Sequence, residues 1–501
     1  MKHAVFVSAF LVMAAMVPVL AQRPGGPGIS AQSGSLTDHY REDAARILNA
    51  TANDTDGYAA LTYLCDQIGN RNSGTPQLNT AVQWAAELMR KAGLENVAVQ
   101  PVKVPHWVRG QEEASIIAPI KRRLHMIGLG MSVGTSKEGI TAPVLFVHDY
   151  TELDALPDSS IRRKVVVFNP GWHGYGVGTN FRTNGPSRAA AKGAVGVLVR
   201  SATGLALQTP HTGRLVYDER HPKIPAAAIS VEDVLLIERL SKEGPVQVHL
   251  QMDAHFEPEV ESGNVVGEIR GSKHPDEVVV LGGHIDSWDV GQGAQDDGSG
   301  IMATFEAVSL LQKLGLHPQR TIRLVFWVNE ENGGAGGKAY RDLIEPSVGK
   351  HVAAIEMDGG AERPLGIGYG SFGFRPGPPR PGAAPVSTPP PFDLAALIPA
   401  EQESFQTLQQ IAALLQPIGA DRVFPGGGGE DIGPIVSEGV PSLSPHTVGE
   451  HYFDWHHSEA DTLDKVDPAE FRHNIALLAI TSYVLADIDG KLAGEKRTDV
   501  Q

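Results

Sequence analysis

The sequence predicts an α/β protein: a mixed, mostly parallel sheet with helices on both faces, interrupted by an inserted β-rich domain. Three observations predict it. From Asn264 onward, strand-like and helix-like runs alternate, the order that folds into an open sheet covered by helices. The strand-like runs, "EVVVLGG" and "TIRLVFWV" among them, are apolar without alternation, as strands buried on both faces are. Between about Met126 and Met252 the texture changes to short Val-rich runs, "APVLFV", "RKVVVFN", "AVGVLVRS" and "VQVHLQM", with one Ala-rich helix, "SRAAAKGAVG".

The elements follow in order. Lys2 and His3 precede "AVFVSAFLVMAAMVPVL", and Val19-Leu20-Ala21 places small residues where a signal peptidase cuts. Residues 1–21 therefore read as an export signal rather than an anchor, and the mature protein as secreted, to periplasm or medium. Residues 22–36 are rich in Gly, Pro, Ser and Gln and form a leader. From Asp38 to Gly93 the pattern is helical. Val82, Ala85, Leu88, Met89 and Ala92 share a face, and Gly93 is a stop. "NVAVQPVKV" starts the strand-like runs that lead into the insert.

The chain thus divides into the leader and first part of a main domain over 22–125, an inserted domain over 126–255, the main part over 256–490 and a tail over 491–501. In the main part, "SGIMATFEAVSLLQKLG" is a helix with Ile301, Phe305, Val308 and Leu311 on one stripe, and "HVAAIEMD" is a third strand. "RPGPPRPGAAPVSTPPPF", residues 375–392, excludes helix and central strand. It reads as a surface loop, or as a rim of the site, since it follows a strand end carrying Asp358.

Composition narrows the function. The chain has 501 residues, 42% of them hydrophobic, and a formal net charge of −16. That balance lacks the basic face a nucleic-acid binder needs. After residue 21 no run suits a membrane span, so no membrane partner is expected after signal cleavage. Cys65 is the one cysteine, so there is no internal disulfide. It lies on an apolar helical pattern, as a small core residue would.

Polar residues fall where such a fold puts function, beyond the carboxyl ends of strands. His284 and Asp286 follow "EVVVLGG", Asp296 and Asp297 stand in "AQDDGSG", Glu330 and Glu331 follow "TIRLVFWV", Asp358 follows "HVAAIEM", and His456 and His457 lie in "DWHHSEADT". Singly, each reads as a loop residue, and Asp296 or Asp297 as a helix N-cap. Together, imidazoles and carboxylates suit a borderline divalent metal such as zinc. Two His and three carboxylates can hold two ions if one carboxylate bridges, and two ions can activate a water and polarise a carbonyl. A further group must take the water's proton. Consecutive residues at a strand end diverge, so Glu330 and Glu331 can do different work.

"GGHIDSWDVGQGAQDDGSG", "WVNEENGG", "EMDG" and "HHSEADT" resemble the M28 family of co-catalytic zinc peptidases. Within it, "LCDQIGNRNSGTPQL" and "VPHWVRGQE" look like the carboxypeptidase Q branch, and "RSATG" and "TPHTGRLVY" look like a protease-associated insert. The resemblance covers about residues 40 to 490. It implies a zinc-peptidase fold of the phosphorylase/hydrolase-like kind and two zinc ions per chain. His284 and Asp358 would bind one zinc, Glu331 and His457 the other, and Asp296 both. Glu330 would be the general base, and Asp286 would orient His284.

In the family the ligand His directly precedes Ser or Thr, which selects His457. An aromatic hydroxyl that precedes this ligand in several relatives is replaced by His456, leaving the oxyanion donor unassigned. His456 and Asp431, in "GGGGEDIGP", match positions near the substrate. The implied activity is exopeptidase action on dipeptides or short peptides, and the implied assembly a homodimer. The alternatives are an aminopeptidase of the same family, a single-zinc glutaminyl cyclase and a non-catalytic binder.

Overall fold

A computed structural model describes residues 28–370 and 394–494. The stretch read as an export signal, the leader up to Pro27, the Pro-rich 375–392 stretch and most of the tail lie outside these residues. Among the described residues no helix is long and apolar enough to cross a membrane.

Two sheets organise the chain. The first has nine strands, in the spatial order 29–30, 422–425, 364–369, 442–447, 351–356, 274–284, 320–327, 255–269 and 95–108. Its centre is parallel: His274–His284 pairs with Arg320–Trp327 on one side and His351–Glu356 on the other, and the latter pairs with Ser442–Thr447. Arg422–Pro425 is also parallel to Pro364–Tyr369, whereas the other four pairings are antiparallel. The sheet is thus mixed, with a parallel centre, rather than mostly parallel. The helix-free link from Ile269 to His274 lets one strand return beside its neighbours without a crossover.

Helices Ser35–Ala52, Pro76–Lys91, Ser299–Lys313 and Pro468–Asp487 cover this sheet and share one core with it. Ser299–Lys313 is buried from Ser299 to Leu311, so its apolar stripe extends all round, as in a central helix. Pro76–Lys91 keeps Val82, Ala85 and Met89 in the core. Just beyond it, Gly93 takes φ +80°, the left-handed turn that ends a helix most readily at glycine. Cys65 is in the core, and burial pushes its thiol up to about 12, so it is an inert packing residue.

The second sheet has eight strands and lies wholly between Glu112 and Met252. Strands 140–147, 165–168, 196–200 and 226–229 run parallel through its centre. The sequence suggests one helix here; the structure has long helices at Tyr175–Ala191 and Val231–Glu243 besides two short ones. The stretch is therefore itself α/β, with an apolar cluster on each face.

Candidate metal centre

The centre grows from the register of the parallel strands. His284 ends its strand opposite Trp327, and Gly282 lies opposite Glu356. Glu330 and Glu331 follow Trp327, and Asp358 follows Glu356, so the three strand ends present their polar residues at one edge. Asp296 and Asp297 lie in the irregular turn that leads into helix Ser299–Lys313. Neither caps that helix: Asp297 Oδ2 accepts the His284 N–H at 3.1 Å. Cβ atoms on Gly283 or Gly300 would each lie 2.0 Å from an Asp297 oxygen. The glycines of the motif therefore make room for a buried carboxylate that fixes the His284 backbone.

The side chains converge on Asp296. Its Oδ1 lies 3.1 Å from His284 Nε2, which is 3.5 Å from Asp358 Oδ1. Its Oδ2 lies 3.1 Å from His457 Nε2, which is 3.1 Å from Glu331 Oε2. Ligand atoms of a tetrahedral zinc site stand roughly 3.3 Å apart, given metal–ligand bonds of about 2.0–2.1 Å. Both groups have this spacing. Asp296 Oδ2 makes no directed hydrogen bond despite its imidazole neighbours, and Glu331 Oε1 has no partner among the described residues although both atoms are buried. Such atoms are costly unless a cation meets them.

Charge repulsion says the same. Burial, then the charges of Glu331, Asp358 and Asp296, push the Glu330 carboxyl well above its usual range despite the pull of His284. Burial would lower both His284 and His457. Hydrogen bonds that the His284 imidazolium donates to Asp296 and Asp358 outweigh it there, and the charge of Glu331 does so at His457; both are held well above the usual imidazole range. Divalent cations between these groups would remove the repulsion.

Each remaining expected residue has a definite place. Asp286 is fully buried, and its main-chain carbonyl, 3.0 Å from His284 Nδ1, makes the orienting contact. Its carboxylate stands 3.8 Å from that nitrogen and instead accepts the Glu330 N–H at 3.1 Å. Asp286 thus positions both the His284 imidazole and the Glu330 main chain. Glu330 is half-buried, in the turn that follows strand Arg320–Trp327. His456 stacks on His457 at 3.6 Å between centroids, with Nε2 3.3 Å from Asp296 Oδ2. It has no contact with Glu331 of the kind His457 makes. Burial and the neighbouring His457 hold it well below the usual range, so it is neutral. Asp431 is buried behind Glu356, which accepts its N–H at 3.3 Å, and neither Asp431 carboxylate oxygen meets a donor among the described residues.

Sequence reasoning misses several supports. Arg71, fully buried, donates to the carbonyls of Gly69, Ile285, Gln292 and Gly293 and so holds the loop after His284. Asp461 accepts the N–H groups of Gln295 at 2.7 Å and Asp296 at 3.2 Å. Both lie inside quoted motifs, but nothing in their spacing states a role. Asn329 and His457 take φ of +67° and +60°. This conformation is uncommon outside glycine and is held here just before Glu330 and at His457. The inserted stretch reaches the centre too: Thr212 N–H donates to the His457 carbonyl at 2.8 Å, and Arg182 Nη1 lies 3.5 Å from His457 Nδ1. The sequence shows no metal or nucleophile set in that stretch, and none is needed for these contacts.

Comparison with known proteins agrees with this geometry. The pattern of peptidase family M28 matches residues 264–481. The chain is 38% identical to carboxypeptidase Q of Bos taurus over 459 residues, 91% of each chain. It is 37% identical to carboxypeptidase Q of Homo sapiens over 436 residues, 87% of this chain and 86% of that one. The crystal structure of a peptidase M28 precursor from Shewanella amazonensis superimposes with a TM-score of 0.80 at 31% identity, covering 91% of this chain and 98% of that one. A zinc aminopeptidase from Bacillus subtilis, at 20% identity and TM-score 0.62 over 86% of this chain and 95% of that one, shares the fold. The chain belongs to peptidase family M28, as a carboxypeptidase Q-like metallo-exopeptidase.

Proposed function

We propose that this chain is a secreted dizinc exopeptidase that hydrolyses dipeptides or other short peptides. His284 and Asp358 would hold one ion, Glu331 and His457 the other, and Asp296 both. The observation that carries this reading is the division of Asp296: one oxygen faces His284, the other His457. A bridging carboxylate between two ions needs that division. The inserted stretch, taken as residues 126–255 with its sheet extending back to Glu112, is read as a protease-associated domain that closes over the centre.

Two zinc ions would supply Lewis acidity, making a water nucleophilic at neutral pH and drawing charge from the scissile carbonyl. The rest falls to the chain. Glu330, fixed through its N–H by Asp286, takes the proton of the attacking water at its carboxylate. It then delivers that proton to the leaving amine as the C–N bond breaks. Neutral His456 lies beside the bridging carboxylate, where a ring N–H could face the developing oxyanion. Asp431, buried with its N–H on Glu356 and both carboxylate oxygens without a donor among the described residues, is read as a group near the substrate.

The test is zinc titration into chelator-stripped protein, with hydrolysis of free dipeptides as the readout. Activity is expected to appear with zinc and reach its plateau at two ions per chain. A plateau at one ion, as a glutaminyl cyclase would bind, or no hydrolysis with both sites filled, contradicts the reading.

A further inference from the structure

We infer that Arg214 binds the free α-carboxylate of the peptide substrate, making the site selective for short peptides with an unblocked C-terminus. The inference rests on the exopeptidase reading and adds which end of the peptide is sensed, and by what. Residues 212–214 of the inserted stretch are pinned against the centre. Thr212 N–H donates to the carbonyl of ligand His457 at 2.8 Å. Gly213 lies against the Arg182 guanidinium so closely that a Cβ there would be 2.2 Å from Arg182 Cζ. The next side chain, Arg214, spans to the opposite wall: a Cβ on Gly333 would lie 3.7 Å from its Nη1. Gly333 closes the turn that carries Glu330 and Glu331, its N–H bonded to the Glu330 carbonyl at 3.2 Å. The guanidinium therefore stands over the general-base turn.

Arg214 is half-buried, and its guanidinium has no ion pair or hydrogen bond among the described residues. Arg109, also in the joint with the insert, is held by Asp289 at 2.8 and 2.6 Å. Arg182, deeper in the wall, is committed to Tyr175 and to the Thr212 carbonyl. A partly desolvated guanidinium with its donors free is matched by a carboxylate, which it can grip with two parallel hydrogen bonds. A peptide carboxylate also needs such a cation to approach a centre lined with acids. In a dipeptide, the α-carboxylate carbon lies about 4 Å from the scissile carbonyl carbon, and each further residue moves it about 3.5 Å away. A cation over the base turn thus favours release of a single C-terminal residue.

The test compares zinc-loaded wild type with Arg214→Gln and Arg214→Lys on alanyl-leucine and on its C-terminal amide, with zinc content measured throughout. Wild type is expected to favour the free acid by about 10- to 100-fold in kcat/KM, mostly through KM, the worth of a charge-assisted pair. Arg214→Gln should bring that ratio close to one, and Arg214→Lys should keep part of it. A ratio unchanged in Arg214→Gln overturns the inference. So does a wild type that cleaves acid and amide alike, a result that leaves the exopeptidase reading intact. A wild type that cleaves neither peptide with two zinc ions bound defeats both. Should the variants not fold, product inhibition of wild type decides: leucine is expected to inhibit at least tenfold more strongly than leucinamide, and equal inhibition overturns the assignment.

Discussion

Asp296 carries the arrangement at the scale of single residues, because each of its oxygens faces a different imidazole. Asp296→Asn replaces one oxygen with an amide that donates rather than accepts. Zinc content should fall from two ions to one or none under conditions that saturate wild type, as read by elemental analysis of the dialysed protein. Glu330→Gln should behave differently. It leaves every proposed ligand in place, so two zinc ions should remain while kcat falls by about 10²–10⁴-fold. Steady-state kinetics on a free dipeptide checks this, and near-full turnover would remove Glu330 from its role. These positions were legible in sequence because each follows a strand or sits in a glycine-rich turn. The supports were not. Asp286 works partly through its carbonyl, and Asp461 through two N–H groups, and main-chain contacts of this kind leave no mark in residue type.

The helix Ser299–Lys313 shows the same division among elements. Its stripe of Ile301, Phe305, Val308 and Leu311 declares a helix, yet it is buried on all sides, which only the neighbouring helices could decide. It also buries Glu306, held by Lys313 at 3.0 Å, with its other oxygen unpartnered. Burial, with the charge of Asp54 adding, raises the Glu306 carboxyl to about 7. The folded state therefore keeps this proton where the unfolded chain releases it, near 4.5. Stability is greatest below that value and falls as pH rises through about 7, by up to about 3 kcal/mol. Glu306→Gln removes this dependence, so its stability relative to wild type should increase from pH 5 to pH 8 in denaturant unfolding; a constant difference contradicts it. Helix Tyr175–Ala191 was legible only in its last turns. Its first half has glycines, and Pro186 lies in its interior, so local propensity argues against a helix that packing against the second sheet secures.

For the whole molecule, the joint between the two sheets matters most. Trp288 follows the first ligand motif, yet its ring packs on Gly130 of the insert, where a Cβ would lie 2.0 Å away, and meets His457 edge-on at 5.6 Å. Trp288→Ala should cost about 3–5 kcal/mol of stability. It should also weaken the ion at His457 before the ion at His284, a sequence visible in competitive chelation. No sequence pattern reveals this joint: Thr212 and His457 are far apart in the chain, and only the assembled fold brings them to 2.8 Å. Whether two ions share Asp296 is decided by anomalous diffraction at the zinc edge. Two peaks about 3.5–4 Å apart are expected, one on each side of the Asp296 carboxylate. A single peak at full zinc occupancy, or a second peak away from Asp296, would contradict that sharing.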